Sequence, residues 1–264
     1  MATLASYVAH LADIPRKLAT INRHLAAIEK NHQLLGLPSA ISSPALDVLR
    51  KGVARAVGKK QKQAPAFSVA HLKKCIAELD LTRLEGVRAP SFYLGFTGAF
   101  RRSELVALDL EHIELTDAAL ILSLPKSKTN QTGELEQKDV FYASNPLLCP
   151  IRAYKAWVEL VERTEGPVFV SLSRGKTGEA GTPSRRRLSD RRVNLLVNLL
   201  VKEHLGEKYS AHCLRASFIT TAKLNGQSNE FIKNQTKQKT DAMISRYSRL
   251  DNIIAYNAAH SLGL

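Results

Sequence analysis

The sequence predicts a mainly α-helical protein of two domains, the larger of which is an α+β domain with a small antiparallel sheet. Apolar residues recur at helical spacing through most of the chain. A single polar and basic run, Gly58–Pro65, separates a short N-terminal part from the rest. Three short strand-like runs lie in the middle of the chain. We therefore expect a small helical domain over residues 1–58, a linker over 59–66 and a larger domain over 67–264.

Two helices are predicted in the small domain. Residues 20–35 carry a helical apolar stripe, with Thr20 as the N-cap and Gly36 as the stop. Residues 44–57 form the second helix. The basic linker that follows is either a solvated tether or a strap that lies along a phosphate backbone.

The larger domain is predicted to begin with two helices and a small sheet. Ser68 caps a helix whose apolar residues extend to Leu79, and a buried helix covers the apolar run Phe92–Phe100. The strand-like runs cover residues 112–115, 119–122 and 139–142. Between the last two lies a turn-rich polar stretch, residues 125–133, that has the composition of a hairpin loop.

The C-terminal half is predicted to be helical apart from one loop. Residues 174–192 are rich in Gly, Ser and Arg, and we expect a mobile surface loop whose arginines reach phosphate. Trp157 is interpreted as a packing residue rather than as a base-stacking platform. The predicted helices cover residues 150–161, a segment capped by Ser189, and residues 212–223, 229–236 and 241–247.

Composition indicates a basic protein with an anionic partner. The 264 residues include 38 Lys and Arg against 24 Asp and Glu, a formal net charge of +14. Nucleic acid is the first candidate partner for such a field and an anionic membrane surface the second. No apolar run is long enough to span a membrane, and the N-terminus does not resemble a signal peptide. Cys75, Cys149 and Cys213 are far apart and odd in number, as expected of buried, reduced thiols in a cytosolic protein.

Three short segments carry the residues that suit chemistry on a phosphodiester. In Ala211–Arg215, His212 and Arg215 are three residues apart and share one helix face. Ala99–Leu105 holds a second arginine, and Arg246–Arg249 holds a tyrosine between arginines. Together they supply a clamp for negative oxygens, a proton acceptor and an oxygen nucleophile.

These segments, in this order, resemble the catalytic domain of the tyrosine recombinases, the phage-integrase family. Phe100–Leu105 resembles the first arginine box of the family, and Lys126–Thr129 its hairpin lysine. His212–Arg215 resembles the second box, and Arg246-Tyr247 the nucleophile. The match runs from about Ala64 to the end, while residues 1–58 resemble, less specifically, the core-binding (SAM-like) DNA-binding domain of the family.

The resemblance implies a role for each residue. Arg101 and Arg215 are the phosphate clamp, although a salt bridge with Glu104 is an alternative role for Arg101; Glu104 itself is interpreted as structural. Tyr247 is the nucleophile that forms a 3′-phosphotyrosine, with Tyr209 and Tyr256 as weaker candidates.

Two further residues are implied to move protons. Lys128 protonates the leaving 5′-oxygen, with Lys126 as the rival for that role. His212 takes the tyrosine proton or hydrogen-bonds the phosphate.

Two features depart from the pattern of the family. Gln238 stands where the family usually has a histidine or tryptophan, and an amide donates a hydrogen bond but carries no charge. Lys237 or Lys239 is a candidate substitute cation. The segment matching the core-binding domain also starts late, which predicts an N-terminally truncated copy or a domain that is closed differently.

The implied function is site-specific DNA recombination or integration by a mobile-element enzyme that needs no cofactor and no metal. The implied partners are double-stranded DNA and three further copies in a homotetramer on two DNA sites, with a DNA-bending accessory protein as a further candidate; no membrane is involved. The tail, residues 251–264, docks on a neighbouring copy or folds back on its own domain. The expected location is cytoplasmic and nucleoid-associated, of bacterial or phage type. A decayed, non-catalytic DNA-binding protein and a type IB topoisomerase are the alternatives.

Overall fold

The chain forms two compact units, residues 1–62 and 63–264. We describe it from a computed structural model, which covers residues 2–14, 16–58, 65–77, 79, 89–124, 136–173, 181–206 and 209–247. The boundary between the units lies within the segment expected to be the linker, and residues 59–64 of that segment are outside the described ranges. The described residues are mainly helical with small antiparallel sheets, which confirms the predicted fold class.

The first unit is a helical bundle with its own core. Its helices are α1 (Ala2–Asp13), α2 (Leu18–Leu34) and α3 (Pro44–Val57). Helix α3 begins as predicted, because the Ser43 hydroxyl accepts the backbone N–H of Leu46 at 3.3 Å and Pro44 occupies the first turn. The buried apolar side chains of this core are Val8, Leu11, Ile21, Leu25, Leu46 and Val53.

Two predictions for this unit were wrong in detail. Helix α2 begins at Leu18 rather than after Thr20, and Lys17 at its N-cap makes no side-chain hydrogen bond. Leu35 lies past the end of the helix with 64% of its surface exposed, so it does not continue the buried stripe. Gly36 does end the helix, since its φ of 66° is the left-handed conformation that glycine adopts without strain.

The second unit combines helices with two small sheets. Its N-terminal helix is capped as predicted, because the Ser68 hydroxyl accepts the backbone N–H of His71 at 3.2 Å. Ser189 caps a later helix by accepting the backbone N–H of Arg192 at 3.3 Å. The elements are α4 (Val69–Ala77), α5 (Ala89–Thr97), α6 (Arg102–Val106), β1 (Ile113–Leu115), β2 (Ala119–Leu124), β3 (Glu136–Phe141), α7 (Pro150–Val161), β4 (Val170–Leu172), β5 (Pro183–Arg187), α8 (Asp190–Leu205), α9 (His212–Leu224), α10 (Asn229–Thr236) and α11 (Asp241–Ser245).

Helix α5 lies at the centre of this unit, packed against both α7 and α9. Strands β1, β2 and β3 form an antiparallel sheet in that order, and their inward side chains join the same core. Trp157 is buried, and its indole N–H donates to the carbonyl of Val168 at 2.7 Å. Its interpretation as a packing residue is therefore confirmed. The three cysteines are buried, as predicted.

The arginine-rich segment before α8 is a strand, not the loop expected from its composition. Residues 183–187 form β5 and pair antiparallel with β4, with Val170 opposite Arg187. Arg187 donates to the carboxylate of Asp109 at 2.6 Å and to the carbonyl of Val106 at 2.7 Å, which fixes the end of the strand. Residues 174–180 of the expected loop are outside the described ranges.

Candidate active site

The site forms where the ends of several elements of the second unit meet. The turn that joins α5 to α6 supplies Arg101, and the first turn of α9 supplies His212 and Arg215. Gln238 follows the end of α10, and Tyr247 follows the end of α11. Residues far apart in the chain are thus brought together by short elements whose ends converge.

His212 and Tyr247 form a direct pair. Nε2 of His212 lies 2.7 Å from the hydroxyl of Tyr247, and the two rings meet edge to face with centroids 5.3 Å apart. The backbone of Tyr247 is held as well, because its carbonyl accepts the hydroxyl of Thr220 at 2.8 Å. An imidazole at this distance is positioned to accept a proton from the phenol.

Arg215 is a buried cation, with 1% of its side chain exposed. Nη1 donates to the carbonyl of Ala99 at 2.7 Å, and Nη2 donates to the carbonyl of Thr236. Desolvation lowers the pKa of Arg215 to about 10, so the group stays protonated at neutral pH. A guanidinium has five N–H donors, and these two bonds leave others for an anion.

The carbonyl that receives Arg215 belongs to a residue in an unusual conformation. Ala99 has a φ of 48°, in the left-handed region that residues with a Cβ rarely adopt. Such a conformation costs about 1–2 kcal/mol and persists only when its surroundings fix it. Here it turns the chain sharply between α5 and Arg101, so the strain has a positional use.

Arg101 and Glu104 form an ion pair within this turn. Nη1 of Arg101 contacts Oε1 of Glu104, and the backbone N–H of Arg101 donates to Oε2 at 3.0 Å. Only 3% of the Glu104 side chain is exposed, against 18% for Arg101. The salt bridge proposed as an alternative role for Arg101 is therefore present, while the arginine keeps an exposed edge. The neighbouring Arg102 is directed elsewhere, to Asp190 at 3.2 Å.

Glu104 is surrounded by positive charge. Burial alone would raise the pKa of this carboxyl, but the charges of Lys138, Arg101 and Arg215 and the N–H of Arg101 outweigh burial and lower the pKa. Glu104 is thus an ionised carboxylate that joins both arginines, in agreement with its interpretation as a structural residue.

Lys138 belongs to the same cluster and was missed in the sequence. Its ammonium lies 3.3 Å from Oε2 of Glu104 and 3.0 Å from the carbonyl of Gly98, and it is fully buried on β3. Its segment is strongly polar, which concealed it. The available signal was the alternation of strand residues, since Lys138 lies two residues before the inward-facing Val140.

Gln238 lies beside the cluster and is buried. Its Oε1 accepts a hydrogen bond from the hydroxyl of Thr236 at 3.4 Å. The carbonyl of the same threonine accepts a hydrogen bond from Arg215. Lys237, one of the candidate substitute cations, donates to the side chain of Asn234 at 3.2 Å. Lys239 is exposed.

The remaining predicted site residues lie apart from this cluster or outside the description. Tyr209 is buried among aromatic side chains, with its ring 6.1 Å from that of Phe67. Lys126, Lys128 and Tyr256 lie outside the described residues.

The charge state of His212 follows from its surroundings. Desolvation lowers the pKa of the imidazole, and the positive charges of Arg215, Arg101 and Arg102 act in the same direction. A neutral imidazole at pH 7 is the form that accepts a proton. Among the described residues, no group of three or more His, Cys, Asp or Glu side chains is arranged to hold a metal ion.

Solved structures of recombinases share this fold. No protein-family model matches the chain. XerA recombinase covers 94% of the chain and 93% of its own length, with a TM-score of 0.53 and 17% identity. The Tn1549 transposon integrase in complex with transposon right end DNA covers 93% of the chain and 79% of its own length, with a TM-score of 0.64 and 11% identity. XerH site-specific recombinase, bound to its palindromic difH substrate, covers 92% and 72% with a TM-score of 0.57 and 13% identity.

A curated relative establishes the family. The integrase/recombinase xerD homolog of Selenomonas ruminantium is 31% identical over 270 aligned positions, which cover 98% of this chain and 76% of the relative. The chain therefore belongs to the tyrosine recombinase family, the family of the phage integrases. Within the described ranges, every helix is too short or too polar to cross a membrane.

Proposed function

We propose that this protein is an active site-specific DNA recombinase that cuts and rejoins DNA through a covalent 3′-phosphotyrosine at Tyr247. The observation that carries the proposal is the 2.7 Å contact between the Tyr247 hydroxyl and His212, beside two arginines that share one carboxylate. A tyrosine, a proton acceptor and fixed cations are the groups that this reaction requires.

In the proposed reaction, Tyr247 attacks the phosphorus of a DNA phosphodiester. A bond forms between the tyrosine oxygen and phosphorus, and the bond from phosphorus to the 5′-oxygen breaks. His212 accepts the phenolic proton, which its lowered pKa favours at neutral pH because the imidazole is then uncharged. The DNA is left with a 3′-phosphotyrosine and a free 5′-hydroxyl, and reversal of the same steps rejoins a strand.

The cations of the site stabilise the negative charge of the phosphate and protonate the leaving group. Arg101 and Arg215 donate to the non-bridging oxygens, where negative charge grows in the transition state. Lys128 gives its proton to the departing 5′-oxygen. Gln238 adds an uncharged donor, through an amide N–H, where other members of the family have a ring nitrogen.

DNA binding is proposed to involve both units. The net charge of +14 supplies a field that attracts a polyanion, and two of the solved relatives are bound to DNA. We assign residues 1–58 to a core-binding DNA-binding domain and residues 67–264 to the catalytic domain.

We further propose that the enzyme works as a tetramer on two DNA sites. The second unit carries an apolar groove of about 540 Å³ between β3 and the helices α9 and α10. Phe141 and Phe231 line it with 66% and 71% of their surfaces exposed, which is unusual for phenylalanine. The tail, residues 251–264, contributes Ile253, Ile254 and Leu262, which match such a groove on a neighbouring copy.

The proposal is tested by trapping the covalent intermediate. The protein is incubated with a randomised library of nicked duplexes, from which the short 5′-hydroxyl fragment diffuses away after cleavage, and is then denatured in SDS. We expect a shifted band for the wild type and none for Tyr247→Phe. Tyr154→Phe, a matched change on α7, should give the same shifted band as the wild type.

The trap distinguishes a site-specific recombinase from a topoisomerase and from a non-catalytic DNA-binding protein. One recurrent sequence in the trapped DNA supports a site-specific recombinase, whereas unselected sequences would indicate a topoisomerase. Salt-sensitive DNA binding without any adduct would contradict the proposal in favour of a non-catalytic DNA-binding protein.

A further inference from the structure

We propose that Lys138 is a positioning residue of the strand-transfer site: it holds the Gly98–Ala99 turn and Glu104 against the two arginines that bind the phosphate. The inference rests on the proposed function, because positioning matters only if the arginines act on a phosphodiester. Lys128, already proposed to act on the leaving group, is a different residue, and it precedes β3 in the sequence.

The burial of Lys138 needs a reason. It lies on the inward face of β3, opposite Leu122 of β2, and none of its side chain is exposed. Removing an ammonium from water is costly unless it is paired and hydrogen-bonded, so lysine is rarely retained at a core position without partners. Desolvation lowers the pKa of Lys138 to about 8, and the group is still largely protonated at neutral pH.

The ammonium has a complete set of partners. Its three N–H donors face three oxygens: the carbonyl of Gly98 at 3.0 Å, the carbonyl of Ala99 at 3.4 Å and Oε2 of Glu104 at 3.3 Å. The ring of Phe100 adds a cation–π contact, with its centroid 4.3 Å from Nζ. Lys138 thus contacts three consecutive residues of the turn that leads into Arg101.

Two of these oxygens also hold the arginines. The carbonyl of Ala99 accepts Nη1 of Arg215 at 2.7 Å, and the carboxylate of Glu104 contacts Arg101 and lies 4.0 Å from Nη1 of Arg215. Loss of the lysine removes one of the three cations around the Glu104 carboxylate. It also removes the hydrogen bonds that hold the turn, in which Ala99 has a left-handed conformation. Both changes would let the guanidinium groups move relative to the phosphate.

A role limited to core stability is the competing explanation, and the test separates the two. Lys138→Met keeps the length of the side chain and removes the charge. Leu120→Val is the control, since Leu120 is buried on the neighbouring strand β2, and its apolar side chain forms no hydrogen bond with these groups. Rates are measured as single-turnover adduct formation at saturating nicked DNA, per folded molecule.

We expect Lys138→Met to slow adduct formation by about 100-fold, the usual effect of misplacing reacting groups by roughly 1 Å. The Kd for DNA should change by less than about threefold, because a fully buried ammonium makes no phosphate contact that releases counterions. Leu120→Val should keep its rate within about threefold of the wild type, since packing defects act on stability. Equal rate losses in the two variants would overturn the proposal.

A second readout does not depend on activity. The Nε–H signals of Arg101 and Arg215, assigned by Arg→Lys variants in ¹H–¹⁵N NMR spectra, report how firmly each guanidinium is held. We expect both signals to broaden or disappear in Lys138→Met and to persist in Leu120→Val. Should the wild type form no adduct, the proposed function fails, and the NMR comparison still decides whether Lys138 positions the arginines.

Folding failure is also informative. If Lys138→Met does not fold, Lys138→Gln replaces it, because glutamine keeps N–H donors for the turn but has no charge for Glu104. The same slower rate, unchanged Kd and weakened arginine signals are then expected. Unfolding of both variants would assign Lys138 to the fold alone and overturn the proposal.

Discussion

At the scale of single residues, the pair of His212 and Tyr247 sets the protonation requirements of the proposed reaction. The two side chains are 2.7 Å apart, and burial together with the charges of nearby arginines lowers the pKa of the imidazole. The arginines proposed to bind the phosphate thus also help to keep the proton acceptor neutral. In the proposed reaction, binding and proton transfer are therefore coupled through charge.

This coupling predicts the pH dependence of cleavage. At DNA concentrations well below the Kd, where the rate reports the free enzyme, adduct formation should rise with pH as His212 loses its proton. The midpoint should lie below 6.5, because burial and the nearby arginines lower the pKa of His212. His212→Gln should remove this limb and lower the plateau by about 100-fold. Single-turnover rates from pH 5 to 8 measure both quantities. A midpoint above 6.5, or an unchanged limb in the variant, would contradict the assignment of His212.

A second prediction concerns the effect of Gln238 on the rate of cleavage. Gln238→His should accelerate cleavage by about tenfold. A hydrogen bond to a charged group contributes roughly 1.5–3 kcal/mol against roughly 0.5–1.5 kcal/mol for an uncharged one, and about 1.4 kcal/mol is a factor of ten. Gln33→His, an exposed change in the first unit, is the matched control. A rate that stays the same or falls would show that Gln238 does not occupy the donor position.

The individual site residues differ in how well the sequence predicted them. His212 and Arg215 share a helix turn, so their spacing alone places them together. Lys138 had no comparable signal, because its importance depends on a cross-strand partner, Leu122, and on a turn 40 residues earlier in the chain. Tertiary register, which a single sequence does not specify, brought it into the site.

At the scale of elements, the turn between α5 and α6 connects the core to the site. Gly98 and Ala99 present two carbonyls to Lys138, and Ala99 presents the same carbonyl to Arg215. The turn is closely packed, because the ring of Phe100 folds back over it. Its geometry therefore determines where both arginines lie.

Gly98→Ala tests this dependence. A Cβ at position 98 would lie 2.3 Å from Cε2 of Phe100 and 2.9 Å from the carbonyl oxygen of Leu94, closer than atoms approach. We expect the second unit to lose about 1–3 kcal/mol of unfolding free energy, the usual effect of overpacking. Urea denaturation measures it.

Gly52→Ala is the contrasting control. Position 52 lies within α3 and a Cβ there meets no atom within 4 Å, so the first unit should gain about 0.5–1 kcal/mol from helix propensity. Equal stability of Gly98→Ala and the wild type would show that the turn tolerates a side chain.

Elements with strong local signals were predicted, and those decided by partners were not. The bounds of α3 and the Ser189 cap of α8 follow from local patterns and were predicted. Strand β5 contains three consecutive arginines, a poor strand sequence, and forms because it pairs with β4. Helix α1 was overlooked, although Leu4, Tyr7, Val8 and Leu11 follow a helical stripe.

At the scale of the whole molecule, the excess of positive charge governs association with DNA. The chain carries a net charge of +14. Arg187 is held by internal hydrogen bonds, whereas Arg185 and Arg186 are exposed on the same strand, β5, and are available to phosphate. Binding should therefore depend on counterion release.

The salt dependence of DNA binding tests this directly. Between 50 mM and 200 mM salt the affinity should fall by about 10³-fold or more, as expected for six or more phosphate contacts. Arg185→Gln should reduce the slope of log K against log salt by about one if that arginine meets phosphate. Fluorescence anisotropy with a labelled duplex provides both values. A flat response would exclude a phosphate-dominated interface.

A division of the chain was predicted from composition, because a run of Lys, Gln, Gly and Pro lies between apolar patterns. The boundary between the two compact units falls in that run. The role of each unit depends on its contacts with DNA. Composition and the structure of an isolated chain do not include these contacts, so the role of each unit stays a prediction.

The assignment of Tyr247 as the nucleophile is tested by peptide mapping of the trapped adduct. After nuclease trimming and proteolysis, mass spectrometry locates the residual nucleotide on one peptide. We expect a nucleotide linked through its 3′-phosphate to Tyr247 alone. A nucleotide on Tyr209 or Tyr256, or one linked through its 5′-phosphate, would contradict it.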